Sequence, residues 1–381
     1  MSFNYFAGPT NVRSNAMLSR ATEFMNPDFD INFFEKYKSV CEKIQKVFMT
    51  KNEIIILSGE GILGLEAACA CLTEDEDNVL VISNGVFGYG FKYFVELYGG
   101  NAFLFEAPKD SLFPIKELES FLRKNNNFKY ATIVHCDTPS SMLNPVKEIC
   151  KILKQHGILT VVDAVASLGG IDLNVDECCI DIALCASQKC FSLPPGLTFL
   201  SISNDAISSI KNRNSNIKSY YMNLLSFLDA YDKKWFPYTM PSSDINSLDV
   251  ALDNILNEGL KNVFERHKKI SSSLLYALEK NNINSFLPKS CSSPTVTTIL
   301  LEENITNRDV IEYIKNKYGI LISGSFGFLS NKAIRIGHMG ENARYERIIP
   351  VLCAVEDALS HFYKRELNLV SDFNKKFREE I

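Results

Sequence analysis

Three ionisable side chains of this sequence lie in or beside apolar stretches, where a charge needs a partner. Asp163 ends one apolar run, Lys189 follows another at 180–185, and Arg335 lies inside a third. A buried carboxylate needs a cation or hydrogen-bond donors, and a desolvated lysine becomes a nucleophile toward aldehydes. An arginine in an apolar strand needs an anion, from the protein or from a substrate. Taken singly, Asp163 is equally explained as a helix N-cap, Lys189 as a surface residue and Arg335 as half of a structural salt bridge.

A glycine-rich turn is the fourth candidate. Gly59–Gly64 has the spacing G-x-G-x-x-G between an apolar run and a helical pattern. A dinucleotide-binding turn would be followed by an acid at the end of the next strand, but Asn84 stands there, which disfavours a nicotinamide cofactor. Backbone N–H groups at a helix N-terminus bind anions, often phosphates, although Glu60 would repel a phosphate unless its side chain turned away. A tight helix-entry turn without a ligand is the alternative.

The order and chemistry of these four features are jointly more specific than any one of them. Pyridoxal 5'-phosphate needs a helix N-terminus for its phosphate and a carboxylate that keeps its ring nitrogen protonated. It also needs a lysine for the Schiff base, and an arginine can orient the carboxylate of its substrate. The sequence therefore predicts a pyridoxal phosphate site.

The elements that position these residues alternate along the first half of the chain, which predicts an α/β fold with a parallel sheet covered by helices. After about Trp235 the pattern changes to one or two long helices and then to a smaller α+β region. The predicted strands are Glu53–Leu57, Val79–Ser83, Ala102–Phe105, Tyr130–His135, Leu159–Val162, Ile180–Cys185, Leu197–Ile202, Thr295–Leu301, Ile320–Ser323 and Ala333–Ile336. The predicted helices are Ile31–Phe48, a helix from the glycine turn through Ala70, Tyr89–Tyr98, Ile115–Lys124, Pro145–His156, Leu248–Lys280 as one or two, Asn307–Tyr318, Tyr345–Phe362 and the tail Lys364–Ile381.

The composition excludes several classes of protein. Hydrophobic residues make up 46% and charged residues 22% of the 381 residues, which excludes disordered and fibrous classes. The formal net charge of −5 predicts no nucleic acid as the main partner. No apolar run approaches the roughly 20 residues that cross a bilayer, and the first residues lack the features of a secretion signal, so we expect no membrane contact and no export.

The 11 cysteines are scattered, form no Cys-x-x-Cys pair and mostly lie in apolar stretches. This pattern is typical of reduced, buried thiols in a cytoplasmic protein. The five histidines lie at no ligand-like spacing, so no metal site is expected.

At the level of motifs the chain resembles the class V aminotransferases, which are fold type I enzymes dependent on pyridoxal phosphate. The resemblance runs from about Phe6 to about Leu359 and is closest to alanine–glyoxylate and serine–pyruvate aminotransferases. It implies a large domain, 16–258, with a mixed, mostly parallel sheet between helices. It also implies a smaller α+β C-terminal domain, 259–381, joined by an N-terminal arm, 1–15. The motifs that carry the resemblance are Val162–Gly170, Ser187–Lys189 with Pro194–Gly196, Ile334–Gly340, Pro294–Thr297 and Gly8–Thr10.

The resemblance also implies roles around the cofactor ring. Lys189 would form the Schiff base and carry the proton between the α-carbon and C4′. Asp163 would pair with the pyridine nitrogen, Val165 would pack on one ring face, and Phe87 would take the place of the aromatic on the other. Thr138 would contact the cofactor as well.

Further roles concern the phosphate, the substrate and the partner subunit. Gln188 and the backbone of Gly61 and Ile62 would hold the phosphate. Arg335 and Gly8 would contact the substrate, with Arg335 binding its carboxylate. Thr239 would reach the phosphate of the partner subunit, which implies a homodimer with active sites at the interface.

Several positions depart from the pattern of the family. Glu60 and Ile62 stand where hydroxyl residues are usual. In Asp137–Ser141, Pro139 replaces a hydroxyl residue and removes a backbone N–H, and Ser141 replaces a glycine. Phe236 aligns with a tyrosine that the partner subunit often supplies.

The implied activity is transfer of an amino group from a small amino acid of the alanine or serine type to a 2-oxo acid such as glyoxylate or pyruvate. An alternative is 2-aminoethylphosphonate–pyruvate transamination, because His135–Asp137 and Leu143–Pro145 also resemble that branch. A cysteine desulfurase is disfavoured because the loop Ser323–Ser330 contains no cysteine. A non-catalytic descendant of the fold is the remaining alternative, and the retention of Lys189 argues against it.

Overall fold

The structure is a computed structural model that describes residues 3–22 and 25–379. The strands of these residues are β1 (Phe3–Asn4), β2 (Glu53–Ser58), β3 (Asn78–Ser83), β4 (Asn101–Glu106), β5 (Tyr130–Val134), β6 (Cys136–Asp137), β7 (Met142–Leu143), β8 (Leu159–Asp163), β9 (Ile182–Ala186), β10 (Leu197–Ile202), β11 (Val296–Leu300), β12 (Ile320–Leu321), β13 (Ser323–Gly324) and β14 (Ala333–Gly337). The helices are α1 (Ser14–Ser19), α2 (Ile31–Phe48), α3 (Gly61–Leu72), α4 (Val86–Leu97), α5 (Ile115–Lys124), α6 (Val146–Gln155), α7 (Asn204–Lys211), α8 (Ala230–Lys233), α9 (Ser242–Glu258), α10 (Leu260–Lys280), α11 (Asn307–Tyr318), α12 (Tyr345–Tyr363) and α13 (Leu369–Glu379).

A seven-stranded sheet in the order β2-β10-β9-β8-β5-β3-β4 forms the centre of the larger core. Strand β10 runs antiparallel to both of its neighbours, and the other pairings are parallel. The central strands β5, β9 and β10 are buried along their whole length. Strands covered on both faces are continuously apolar, and this is why their sequences predicted strands without an alternating pattern. The predicted α/β fold with a mixed, mostly parallel sheet is confirmed.

Helix α3 packs closely on this sheet because it contains small residues. A Cβ atom built on Gly64 would lie 2.4 Å from Cγ2 of Thr198 on β10, so only a glycine allows this approach. The close packing fixes where the helix begins, and therefore where its N-terminal N–H groups point.

A second, smaller core contains the antiparallel sheet β11-β14-β13 and parts of helices α10 to α13. The N-terminal arm joins this region, because β1 pairs in parallel with β12, Phe3 opposite Ile320. The predicted helical region Leu248–Lys280 consists of two helices, α9 and α10, separated at Gly259, where φ is +84°. The domain boundary at 258/259 stays a prediction.

Some predicted elements differ from those of the structure. The expected strand Ile320–Ser323 is two short strands, β12 and β13, which pair with different partners. Helix α4 begins at Val86 rather than Tyr89, and the tail helix covers Leu369–Glu379 of the predicted Lys364–Ile381. Residues 380 and 381 lie outside the described residues.

All eleven cysteines are free thiols, and eight of them are buried. Cys41 and Cys179 are half-buried, and Cys353 is exposed on α12, so the expectation of core residues is wrong for Cys353. Among residues 3–22 and 25–379, no helix is both long and apolar enough to cross a membrane. The same residues contain no group of three or more histidine, cysteine or acidic side chains that could hold a metal ion.

Candidate active site

A cavity of about 310 Å³ lies at the carboxyl edge of the large sheet. Nine of the eleven site residues predicted from the sequence line it, and Thr239 and Arg335 do not. The lining residues are Gly8, Pro9, Glu60, Gly61, Ile62, Leu65, Phe87, Cys136, Thr138, Asp163, Val165, Ala166, Gln188, Lys189 and Pro195.

The topology of the sheet brings these residues together. Asp163 is the last residue of β8, and Lys189 follows the end of its parallel neighbour β9. Strand β2 runs parallel to β9, because both are antiparallel to β10, so the N-terminus of α3 lies at the same edge. The carboxyl edge of an open parallel sheet is where such folds bind ligands.

The amine of Lys189 is desolvated and has no acidic partner within ion-pair distance among the described residues. Its Nζ donates a hydrogen bond to the carbonyl oxygen of Ala7 at 2.5 Å. Burial lowers the pKa of Lys189, and the positive charge of Arg335 lowers it further. A buried lysine with a lowered pKa loses its proton more easily than a surface lysine and is therefore a better nucleophile. The explanation of Lys189 as a surface residue is therefore wrong.

The carboxylate of Asp163 is buried with few donors. Its Oδ1 accepts a hydrogen bond from the backbone N–H of Val165 at 2.9 Å. Burial raises the pKa of Asp163 to about 6, and the positive charge of Lys189 opposes this shift. The N-cap explanation is wrong, because the residues after Asp163 form turns rather than a helix. A protonated ring nitrogen would supply the cation that this carboxylate lacks.

Arg335, on β14, is held by carbonyl oxygens instead of a carboxylate. Its guanidinium donates to Gly324 at 3.0 and 2.8 Å and to Thr138 at 3.2 Å, and its Cζ lies 5.1 Å from the ring centroid of Phe326. Burial lowers the pKa of Arg335 to about 10, while Asp137 opposes the shift. Among the described residues no carboxylate lies within 4.0 Å, so the salt-bridge explanation is wrong and the positive charge can take an external anion.

Two contributions to the site were not predicted. The carbonyl oxygen of Ala7 holds the reactive lysine, and a backbone carbonyl leaves no signal in a residue pattern. Asp137 is the second: its buried carboxylate accepts hydrogen bonds from the Ser140 hydroxyl at 2.7 Å and from the backbone N–H of Phe87 at 3.4 Å. Asp137 therefore holds the start of α4, which carries Phe87 into the cavity.

The departures from the family pattern have visible consequences. Ser141 adopts a φ of +67°, the left-handed conformation that favours glycine. The carbonyl of Pro139 accepts hydrogen bonds from Ser325 at 2.6 Å and Thr298 at 3.3 Å. Phe236 is buried and stacks on Phe34 with ring centroids 5.2 Å apart, so it is a core residue.

Thr239 lies outside the cavity of its own chain. It is exposed, and its hydroxyl donates to Asp28 at 3.1 Å. Its expected contact with a partner subunit stays a prediction.

The N-terminus of α3 carries a carboxylate where a phosphate was expected. Oε1 of Glu60 accepts from the backbone N–H of Ile62 at 2.9 Å, and its Oε2 accepts from Nε2 of Gln188 at 3.2 Å. The residues thus fit the aldehyde and ring nitrogen of pyridoxal phosphate, but the end of the cavity assigned to its phosphate does not fit a second anion.

Comparison with known proteins identifies the family. The profile of the class-V aminotransferases matches residues 13–330. A pyridoxamine–pyruvate transaminase of Mesorhizobium japonicum is 31% identical, with 93% of this chain and 90% of the relative covered. The (S)-ureidoglycine–glyoxylate transaminase of Bacillus subtilis is 29% identical, with 92% and 89% covered.

A solved structure agrees with this assignment. The ureidoglycine–glyoxylate aminotransferase of Bacillus subtilis superposes with a TM-score of 0.94 at 27% identity, covering 99% of this chain and 98% of that one. The resemblance inferred from the motifs is confirmed, and so is the prediction that the protein is an enzyme. The chain belongs to the class-V aminotransferases, a family of pyridoxal-phosphate-dependent enzymes.

Proposed function

We propose that this enzyme transfers an amino group from a small amino donor to a 2-oxo acid such as glyoxylate or pyruvate. The observation that carries the proposal is a pair of basic groups with no acidic partner within ion-pair distance in the described part of the chain. They are the desolvated amine of Lys189 in the cavity and the guanidinium of Arg335, which donates to the carbonyl of Thr138. The first suits attack on an aldehyde and the second suits a substrate carboxylate. The relatives named for pyruvate or glyoxylate support such an acceptor.

The cofactor, when bound, supplies an electron-withdrawing pyridinium ring. Asp163 would keep the ring nitrogen protonated, because among the described residues no cation lies within ion-pair distance of its buried carboxylate. Val165, Phe87 and Thr138 line the cavity, so Val165 and Phe87 would pack on the ring and Thr138, in the turn between β6 and β7, would contact it. Lys189 would provide the amine for the covalent link and carry the proton, since burial lowers the pKa of its ammonium group.

Two further contacts complete the proposed site. Gly8 makes room for the lysine, because a Cβ at this position would lie 2.5 Å from Nζ of Lys189. Gly61, Ile62 and Gln188 are proposed to hold the group at the 5′ position of the ring. Of the groups of the cofactor, the phosphate is the one that the geometry supports least. Glu60 already accepts hydrogen bonds from Ile62 and Gln188, which would otherwise bind it.

We also propose that the protein is a cytoplasmic homodimer in which Thr239 contacts the partner's active site. Each subunit would consist of a large domain, 16–258, and a small domain, 259–381, joined by the arm 1–15. The free thiols favour a reducing compartment. Phe29 and Ile31 are 88% and 58% exposed near Asp28, which bonds Thr239, and such apolar exposure favours an interface. Light scattering should give twice the 42.9 kDa of one chain, and a single-chain mass would contradict the dimer.

A panel of donors tests the function. Alanine, serine, 2-aminoethylphosphonate and pyridoxamine are each offered with glyoxylate and with pyruvate, in the presence of pyridoxal phosphate or pyridoxal. Lys189→Ala is the control, and it should lose both the near-visible absorption of the lysine-bound aldehyde and the activity. Transamination by Lys189→Ala at the wild-type rate would refute the assignment.

The residues of the cavity support two of these donors to different degrees. Pyridoxamine, the donor in the name of the 31% identical relative, is a second candidate because Glu60 lies in the phosphate position. The aminoethylphosphonate alternative is supported less, since Lys189 is the only cation among the described residues that line the cavity.

A further inference from the structure

At the end of the cavity beside the N-terminus of α3, the hydrogen-bond donors already have an acceptor within the protein. The N–H of Ile62 and the amide Nε2 of Gln188 are the donors expected to bind a phosphate. Both donate instead to the carboxylate of Glu60, at 2.9 and 3.2 Å. A phosphate would have to displace Glu60 from both donors before it could use them.

Gln188 provides an independent observation. Its side chain is only 7% exposed, and its Oε1 has no hydrogen-bond partner among the described residues. The carboxylate of Glu60 fixes the orientation of the amide, because only the NH₂ group can face an anion. The carbonyl oxygen is therefore left as an unused acceptor, and such a buried acceptor calls for a ligand that donates a hydrogen bond.

The charges of the cavity lining also disfavour a phosphate at this end. Glu60 and Asp163 are acidic residues of the cavity lining, and Lys189 is its only cation within the described chain. A phosphate monoester carries roughly 1.5 to 2 negative charges at neutral pH and cannot donate strongly to a carboxylate. A hydroxymethyl group is uncharged, and it can donate its proton to Glu60 or to the oxygen of Gln188.

We propose that this end of the cavity receives a hydroxymethyl group, so that the enzyme takes the unphosphorylated vitamer, pyridoxamine or pyridoxal, as a reactant. Glu60 is the residue that selects it. The inference rests on the proposed transamination and specifies its substrate.

The exchange balances without an oxidant. The C4′–N bond of pyridoxamine breaks and a bond forms between nitrogen and the carbonyl carbon of the 2-oxo acid. C4′ loses one proton and the acceptor carbon gains one, with Lys189 as carrier. One water is released on condensation and one is consumed on hydrolysis, which gives pyridoxal and an amino acid.

The test compares the two vitamers by binding rather than by turnover. Ligand-free protein is titrated with pyridoxal and with pyridoxal phosphate, and the near-visible absorption of the lysine-bound aldehyde gives each Kd. Lys189→Ala corrects for reaction with surface lysines. We expect the wild type to bind pyridoxal at least about tenfold more tightly than pyridoxal phosphate.

Variants of Glu60 should change the ratio of the Kd for pyridoxal phosphate to the Kd for pyridoxal. Glu60→Ser keeps a helix-capping side chain and removes the charge, so it should bind pyridoxal phosphate at least about tenfold more tightly than the wild type does. Glu60→Gln, of similar size, should shift the ratio in the same direction. Glu53→Ser at the other end of β2 removes the same charge far from the cavity and should leave the ratio unchanged.

The outcomes separate the two proposals. If the wild type binds pyridoxal phosphate as tightly as pyridoxal, or if neither Glu60 variant changes the ratio, the selection by Glu60 is overturned while the transaminase proposal stands. If neither vitamer gives a Lys189-dependent absorption, both proposals are overturned.

Discussion

Replacing Asp163 with asparagine should stabilise the ligand-free protein at neutral pH while reducing its activity. The buried carboxylate accepts one backbone hydrogen bond, from Val165, and an asparagine oxygen can accept the same bond. The variant therefore removes the charge and keeps the geometry. Without a ring-nitrogen cation beside it, the charge is an unfavourable feature of the native state.

The pH dependence follows from the raised pKa of Asp163. Burial raises it from 3.8 in the unfolded chain to about 6 in the native state. Well below pH 3.8 the residue is protonated in both states and adds nothing to the free energy of unfolding. Between the two values the native state holds a proton that the unfolded state has lost, so stability falls as the pH rises. Above pH 6 the full penalty applies, roughly 3 kcal/mol at about 1.4 kcal/mol per pKa unit.

Urea unfolding of the ligand-free wild type and of Asp163→Asn, at intervals from pH 4 to pH 8, measures this penalty. The two free energies of unfolding should be similar near pH 4 and should separate to roughly 3 kcal/mol by pH 8, with the variant more stable. Asp110→Asn, at an exposed position, is the matched control for the loss of one negative charge. A difference that does not change with pH would refute the reasoning.

Three other substitutions test single contacts. Arg335→Lys keeps the charge but loses the fork geometry, so steady-state kinetics should show a KM for carboxylate substrates raised by roughly 10- to 100-fold; an unchanged KM would contradict the role. Gly8→Ala places a methyl group 2.5 Å from Nζ of Lys189 at a φ of +99°, so stopped-flow absorbance should show slower reaction of the lysine with aldehyde, and a wild-type rate would be inconsistent with this packing. Phe236→Ala removes a ring stacked on Phe34 and should cost about 3 to 5 kcal/mol in chemical denaturation, whereas a loss below about 1 kcal/mol would argue against a core position.

The strands of the large sheet could be predicted from the sequence because burial on both faces requires continuous apolar runs. The order of the strands could not, because it depends on pairings between distant segments. The hairpin of β6 and β7 was also missed, since strands of two residues are stabilised by tertiary contacts rather than by their own pattern. Asp137 belongs to this hairpin, and its contact with the N–H of Phe87 was hidden for the same reason.

Within the site, Asp163 and Lys189 could be recognised because Asp163 ends a buried strand and Lys189 follows one. That Arg335 has no acidic partner among residues 3–22 and 25–379 could not be recognised, since the sequence contains many acids and does not show which of them lie near. The charge conflict at Glu60 was visible in the sequence. The sequence did not show that Glu60 accepts hydrogen bonds from Ile62 and Gln188, because these bonds depend on how α3 and the end of β9 approach each other.

The N-terminal arm has a consequence for the order in which the protein is made. Its strand β1 pairs with residues 320 and 321, and four residues after Phe3 the arm supplies the carbonyl of Ala7 to Lys189. The ribosome therefore makes the arm roughly 300 residues before the strand that pairs with it. A chain that ends before β12 lacks the partner of β1, so nothing in that strand holds the carbonyl of Ala7 beside Lys189. The reactivity of Lys189 should accordingly report on whether synthesis has passed β12.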